Sequence, residues 1–156
     1  MNQKLNCVLF IDDDEPTNFL NQLVIENVNC SEHVQIATSG EQALRYLGNS
    51  KNCAPANSNY PCPDLIFLDI NMPAMNGWEF LKEYNELEKE QKGNIVIIML
   101  TTSLNPDDII KAKDTPHITG FENKPLTEEK LARLLEKYFP QHQQQLPVDQ
   151  ASIPIR

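Results

Sequence analysis

The sequence has no cluster of lysines and arginines: 13 basic residues face 22 acidic ones in a chain of 156, for a formal net charge of −9. A surface that neutralises nucleic-acid phosphates needs a basic face, so nucleic acid is not an expected partner. Long apolar runs are missing as well. Nothing approaches the ~20 consecutive apolar residues of a membrane span. Met1 to Asn6 is polar, and the apolar run after it, Cys7 to Ile11, is too short for a secretory leader. A soluble, cytoplasmic protein without a membrane partner is expected. The four cysteines, Cys7, Cys30, Cys53 and Cys62, include no C-x-x-C pair, and His33, His117 and His142 add no metal-ligand spacing beside them. Free thiols are the expectation for a reducing compartment, with a Cys53–Cys62 disulfide in an exposed loop as the alternative. There is no internal repeat and no room for a second large domain.

What is present is a regular alternation of short apolar runs with helix-like segments. Cys7–Ile11 is continuous rather than alternating, as in a strand buried on both faces, and ends abruptly at Asp12-Asp13-Asp14. Pro16, after acidic neighbours, suits a first helical turn, and Phe19, Leu20, Leu23, Val24 and Val28 form the apolar stripe of the helix that follows. His33–Ala37 is a second strand. Ser39 with Gln42 is a capping-box pattern opening a helix with Ala43, Leu44 and Leu47 inward. Asn49–Pro63, rich in Asn, Ser and Pro, reads as a long exposed loop.

Leu65–Leu68 is a third strand ending at Asp69, followed by a turn from Asn71 to Gly77 and a helix with Trp78, Leu81, Tyr84 and Leu87 on one stripe. Ile95–Leu100 is a fourth strand ending at Thr101. Asn105-Pro106-Asp107-Asp108 is a helix start, with a cap, a proline and acids at the positive end of the dipole. Ile118–Phe121 is a fifth strand ending near Lys124-Pro125. Thr127 opens a last helix with Leu131, Leu134, Leu135 and Tyr138 inward. Residues 1–140 form one predicted domain, and 141–156 a glutamine-rich flexible tail.

Five strands alternating with five helices imply an α/β fold, a doubly wound parallel sheet with helices on both faces. Ligands of such sheets bind beyond the carboxyl ends of the strands, at a topological switch point. That rule selects Asp12, Asp13, Asp69, Thr101 and Lys124. Taken singly each has an ordinary reading: a cap, a turn former, a strand end, a solvated lysine. Together they form one chemistry. Three converging carboxylates repel, and a hard divalent cation such as Mg²⁺ relieves the repulsion. Lys124 and Thr101 supply a positive charge and a hydroxyl for phosphate oxygens. A carboxylate can attack phosphorus and form an acyl phosphate.

Ile11-Asp12-Asp13-Asp14, Leu68-Asp69-Ile70-Asn71-Met72-Pro73 with Asn76-Gly77, Met99-Leu100-Thr101-Thr102, and Lys124-Pro125 resemble, in order, the four signature segments of the response regulator receiver family. The resemblance covers about residues 5–139 and implies a flavodoxin-like sheet of order 2-1-3-4-5. It implies Asp69 as phosphoacceptor, Asp13 as a direct Mg²⁺ ligand, Asp12 as a ligand mainly through water, and the Asn71 backbone carbonyl as a further ligand. Thr101 would hydrogen-bond the phosphoryl group and Lys124 pair with it. Phe121 occupies an aromatic switch position, without the hydroxyl of a tyrosine there. Asn71 and Ser103 flank the site where dephosphorylation is tuned.

Implied partners are a sensor histidine kinase or a histidine phosphotransfer protein, and a downstream protein met through the fourth helix, fifth strand and last helix. Output would be a switch or a phosphate shuttle; homodimerisation stays open. The protein would catalyse only its own phosphorylation and dephosphorylation. Two other classes fit the sequence less well. An aspartyl-phosphate hydrolase of the haloacid dehalogenase class needs an acid two residues after its nucleophile, where Asn71 stands. A flavin-binding flavodoxin-like module would want a phosphate-cradling loop where Asp12-Asp13-Asp14-Glu15 stands, and a phosphate-independent protein-binding module would not call for the full set of site residues that is present.

Overall fold

A computed structural model describes residues 4–49, 59–87, 95–102, 105–115 and 117–143. The expected Ser103 position, residues 50–58 of the loop and residues 144–156 of the tail lie outside the described residues. The chain runs β1 (Leu5–Ile11), α1 (Glu15–Val28), β2 (Ser31–Ala37), α2 (Gly40–Asn49), β3 (Leu65–Leu68), α3 (Gly77–Tyr84), β4 (Val96–Thr101), α4 (Pro106–Asp114), β5 (Gly120–Asn123), α5 (Glu128–Tyr138) and a single turn, α6 (Pro140–Gln143). The five strands are parallel, in the order β2-β1-β3-β4-β5. The connection from β1 leads outward to β2, and the next one returns across β1 to β3. The switch point therefore lies between the ends of β1 and β3, where Ile11 pairs with Leu68.

The unbroken apolar runs have a direct cause. Successive strand residues point to opposite faces, and both faces are covered. Leu9, Ile11, Ile66, Leu68, Ile97 and Met99 pack with Ala43 and Leu47 of α2 and Phe80 and Leu81 of α3. Val8, Phe10, Leu65, Phe67, Ile98 and Leu100 pack on the other side with Ile25 of α1 and Leu131 and Leu135 of α5. Phe10 and Phe67 stack across neighbouring strands with centroids 5.1 Å apart.

Helix starts follow their caps. Asp14 accepts from Thr17 N at 3.1 Å, Asn105 from Asp107 N at 2.9 Å, and Thr127 from Lys130 N at 3.1 Å. Ser39 accepts from Gln42 N at 3.0 Å, while the Gln42 carbonyl accepts from Thr38 N rather than closing on Ser39 itself. Asn76 and Glu79 form a full capping box at the start of α3.

Two expectations change. Three of the five residues of the α1 stripe face solvent: Phe19 is 62% exposed, Leu20 60% and Leu23 38%, while Asn18, Asn21 and Ile25 are buried. Val24 and Val28 alone of that stripe pack against the core. The helix is turned by a polar tether, Asn18 Nδ2 donating to the Asp12 carbonyl at 2.8 Å. A buried hydrogen bond to a backbone carbonyl outweighs the apolar pattern here, because that carbonyl would otherwise lack a partner. The cysteines also differ from the free-thiol expectation. Cys7 and Cys30 are free, but Cys62 is disulfide-bonded, in line with the alternative reading; Cys53, the partner named there, lies outside the described residues. Compartment arguments carry no information about distance. The chain around Cys62 is drawn in by Asn6 Nδ2, which donates to the Cys62 carbonyl at 2.8 Å.

Gly77 seats α3 against the chain that leaves β3. Its N–H donates to the Ile70 carbonyl at 2.8 Å, and a Cβ there would lie 2.6 Å from the Asp69 carbonyl oxygen and 3.0 Å from Ile70 Cα. Backbone cannot yield as a side-chain tip can, so Gly77→Ala should cost about 1–3 kcal/mol. Gly48→Ala in α2, where a Cβ meets nothing within 4 Å, should instead gain up to about 1 kcal/mol in helix propensity. Urea denaturation of the two variants checks both signs.

Candidate metal and phosphoryl site

The site is assembled by strand ends. Asp12 N donates to the Ala37 carbonyl at 3.1 Å and Asp69 N to the Ile11 carbonyl at 3.0 Å, so sheet hydrogen bonding carries each aspartate one step past its strand. Lys124 N donates to the Thr101 carbonyl at 2.9 Å, which ties the end of β5 to that of β4. The Lys124–Pro125 peptide is cis.

Asp12, Asp13 and Asp69 each present a carboxylate oxygen within 4.8 Å of the others; Asp12 and Asp69 are buried and Asp13 is exposed. The Lys124 ammonium donates to Asp12 Oδ2 at 2.6 Å and lies 3.4 Å from Asp69 Oδ1. The other Asp12 oxygen accepts from Asp14 N at 2.9 Å. Thr101 is fully buried at the end of β4, in register with Asn123. Asn71 is exposed on the loop leaving Asp69, and Met72 beside it is buried. Phe121 stands apart from the carboxylates. It pairs with Met99, is half-buried against the α2–α3 core, and lines a surface groove between α4 and α5.

Burial pushes the Asp69 carboxyl up to about 6; the Lys124 charge opposes this and the Asp12 charge adds to it. Desolvation works against the Lys124 ammonium, but its hydrogen bond to Asp12 and the charges of Asp12 and Asp69 raise its pKa overall. The donor set is all hard oxygen and strongly anionic, which fits a small divalent cation rather than a thiophilic metal. Lys124 alone cannot offset three carboxylates.

The residues that the strand-end rule selects, Asp12, Asp13, Asp69 and Lys124, thus come together, with Thr101 at the same edge; Asn71, which only the family resemblance supplied, follows Asp69 on the loop. The rule missed Asn18, which anchors the Asp12 carbonyl from the second turn of α1. An asparagine interrupting a helix beside an acidic loop was the available signal. Gly77 was legible only as a turn residue, because its contact is with backbone that sequence does not place.

A doubly wound sheet with an acidic cluster and a lysine at its switch point defines an α/β protein whose site suits a divalent cation and phosphate oxygens. The family model for the response regulator receiver domain matches residues 8–136, and the chain belongs to that family. A two-component response regulator from Cytophaga hutchinsonii has a solved structure that superposes with a TM-score of 0.74 at 34% identity, covering 86% of this chain and 97% of that one. The Mn²⁺-bound form of response regulator Rcp1 superposes with a TM-score of 0.61 at 26% identity, over 86% of this chain and 94% of that one. By sequence, Rcp1 of Synechocystis is 28% identical over 117 residues, 75% of each chain. The protein is thus a receiver domain of two-component signalling, and its acidic cluster suits a divalent metal. Neither the hydrolase reading nor the phosphate-independent one is favoured. No helix among the described residues is long and apolar enough to cross a membrane.

A carboxyl whose pKa is raised in the fold contributes stability that is complete below its ordinary pKa and is lost as pH rises through about 6. Without divalent metal, Asp69→Asn should therefore melt several degrees above wild type at neutral pH. Near pH ~4, where the carboxyl is largely protonated, the difference should close. Thermal melts across that range in chelator are the check; a constant offset would remove the charge explanation.

Proposed function

We propose that Asp69 is the phosphoacceptor of a Mg²⁺-dependent switch, and the observation that carries this is the Lys124 ammonium shared between Asp12 and Asp69. An Asp69 oxygen lone pair attacks phosphorus. The bond from phosphorus to the donor's imidazole nitrogen, or to an acyl oxygen in a small donor, breaks with its electron pair leaving on that atom. The product is an aspartyl phosphate; attack by water later returns the carboxylate and inorganic phosphate. Lys124, already within reach of Asp69, pairs with the new phosphoryl oxygens, and the Thr101 hydroxyl donates to them. Mg²⁺ held by Asp12, Asp13, Asp69 and the Asn71 carbonyl, when bound, offsets the charge of the transferring group.

Movement of Thr101 toward the phosphoryl group then lets Phe121 repack. The distal groove, about 750 Å³ and lined among others by Ile109, Lys113, Phe121, Arg133, Leu134 and Tyr138, suits the downstream partner or a second copy. The protein catalyses only its own phosphorylation and dephosphorylation, in residues 1–140, with 141–156 as an appended tail.

The donor protein, a sensor kinase or histidine phosphotransfer protein, must present its histidine to Asp69. The exposed Phe19, Leu20 and Leu23 of α1 lie on the helix that starts directly after Asp12–Asp14, and an apolar patch in that place suits its docking. The cytoplasm, where such donors are charged from ATP, is the proposed location. The Cys62 disulfide precedes β3 and so lies at the amino ends of the strands, away from the site, and its reduction there leaves the chemistry intact.

Intact-mass spectrometry after incubation with acetyl phosphate should show one added phosphoryl group that requires Mg²⁺ and is lost in Asp69→Asn. An unlabelled wild type beside a labelled control receiver would sink the small-donor chemistry. Leu20→Lys should leave acetyl phosphate labelling unchanged yet slow transfer from a phosphorylated histidine phosphotransfer protein about tenfold or more, the loss of roughly one buried leucine contact in affinity. Equal transfer rates would move the docking site off α1.

A further inference from the structure

The chain's single tryptophan, Trp78, lies in a second concavity that the phosphoryl chemistry does not use. A groove of about 350 Å³ runs between α3 and α4, walled by Trp78 and Leu81 and edged by Lys82, Asn85, Lys111 and His117. Its size is at the lower end of small-molecule sites, and an apolar wall with a few polar groups at the rim is their usual make-up.

The charge here runs against that of the chain. The protein carries −9 overall, yet two lysines converge on this groove from different helices. Lys111 Nζ stands 4.8 Å from the Trp78 ring centroid, and Lys82 follows Trp78 by one helical turn. Among the described residues neither lysine pairs with a carboxylate. Glu79, the acid at the rim, is turned back to cap its own helix, accepting from Asn76 N at 2.9 Å.

The far end of the groove is held in a costly conformation. His117 has a φ of 77°, in the left-handed region that residues other than glycine rarely occupy. Its Nε2 lies 2.6 Å from Asn85 Oδ1, and its ring meets Tyr84 edge-on at 5.7 Å. These two contacts fix a ring that also faces the groove.

We propose that the α3–α4 groove is a binding site for a small planar aromatic carboxylate, whose ring lies against Trp78 and Leu81 and whose carboxylate is met by Lys82 and Lys111. A flat ring can share the Trp78 surface now covered by Lys111, and the displaced ammonium then pairs with the anion. A neutral ring of the same shape lacks the ion pairs, and a non-planar acid lacks the stacking.

The test uses the full-length protein and 2-naphthoate as probe, with 2-naphthamide and cyclohexanecarboxylate as matched controls, followed by two-dimensional NMR. The expected result is saturable shifts of the Trp78 indole N–H and of the Lys82, Lys111 and His117 amides with 2-naphthoate. Binding should be at least tenfold weaker for either control, and for Lys82→Met or Lys111→Met, which keep the aliphatic stem of these exposed side chains. The Asp69→Asn variant should bind like wild type, which separates this site from the anion-attracting lysine at the phosphoryl centre. Shifts scattered over the surface, shifts that do not saturate, or equal binding of the neutral amide would overturn the proposal.

Discussion

The contact of Lys124 with Asp12 at 2.6 Å and with Asp69 at 3.4 Å is the interaction around which the rest is arranged. Three carboxylates within 4.8 Å would drive one another apart, or take up protons, without a cation among them. The lysine can act only if the end of β5 reaches the ends of β1 and β3, which are separated from it in the sheet by β4. The bond from Lys124 N to the Thr101 carbonyl supplies that reach. Strand order, the length of each strand and the turn after β5 all serve one electrostatic requirement.

Most of this was legible in the sequence because it depends on where apolar runs stop. A strand buried on both faces has to be apolar throughout, so its end is sharp, and a polar residue just past it is at the sheet edge. Asp12, Asp69 and Thr101 stand at such ends; Lys124 follows β5, whose four residues are half-buried or exposed, so that end is less sharp. α1 was misread for a related reason. Periodicity shows that a helix has two unlike faces but does not say which one meets the sheet. Here the choice is made by Asn18 and the Asp12 carbonyl, a contact between a helix and the loop before it. The Cys62 disulfide and the left-handed His117 are likewise properties of distance and dihedral angle, on which residue type is nearly silent.

The two ends of the sheet carry different duties. At the amino ends, Asn6 bonds the Cys62 carbonyl and the Asp64 carboxylate, and Tyr46 bonds the Pro61 carbonyl, so side chains lash the chain before β3 to its neighbours. Cys7, beside them, is a buried thiol pushed up to about 12 by desolvation, and takes the part of a small apolar residue. At the carboxyl ends the contacts are ionic and exchangeable. A change of charge there can be absorbed by side chains while the opposite end keeps the sheet in register.

The orientation of α1 carries an evolutionary consequence. Asn18 Oδ1 and Asn21 Nδ2 are buried without hydrogen-bond partners, while Phe19 and Leu20 stand in water. The Asn18 bond to the Asp12 carbonyl favours this orientation, while the unpaired amide atoms and the exposed apolar side chains weigh against it. Selection for thermostability, applied without selection for signalling, would therefore keep Asn18 and drift toward a leucine at 21 and polar residues at 19 and 20. With α1 as the proposed docking face, the product would be a sturdier protein deaf to its donor, so the sequence of this one helix records which of the two pressures has prevailed.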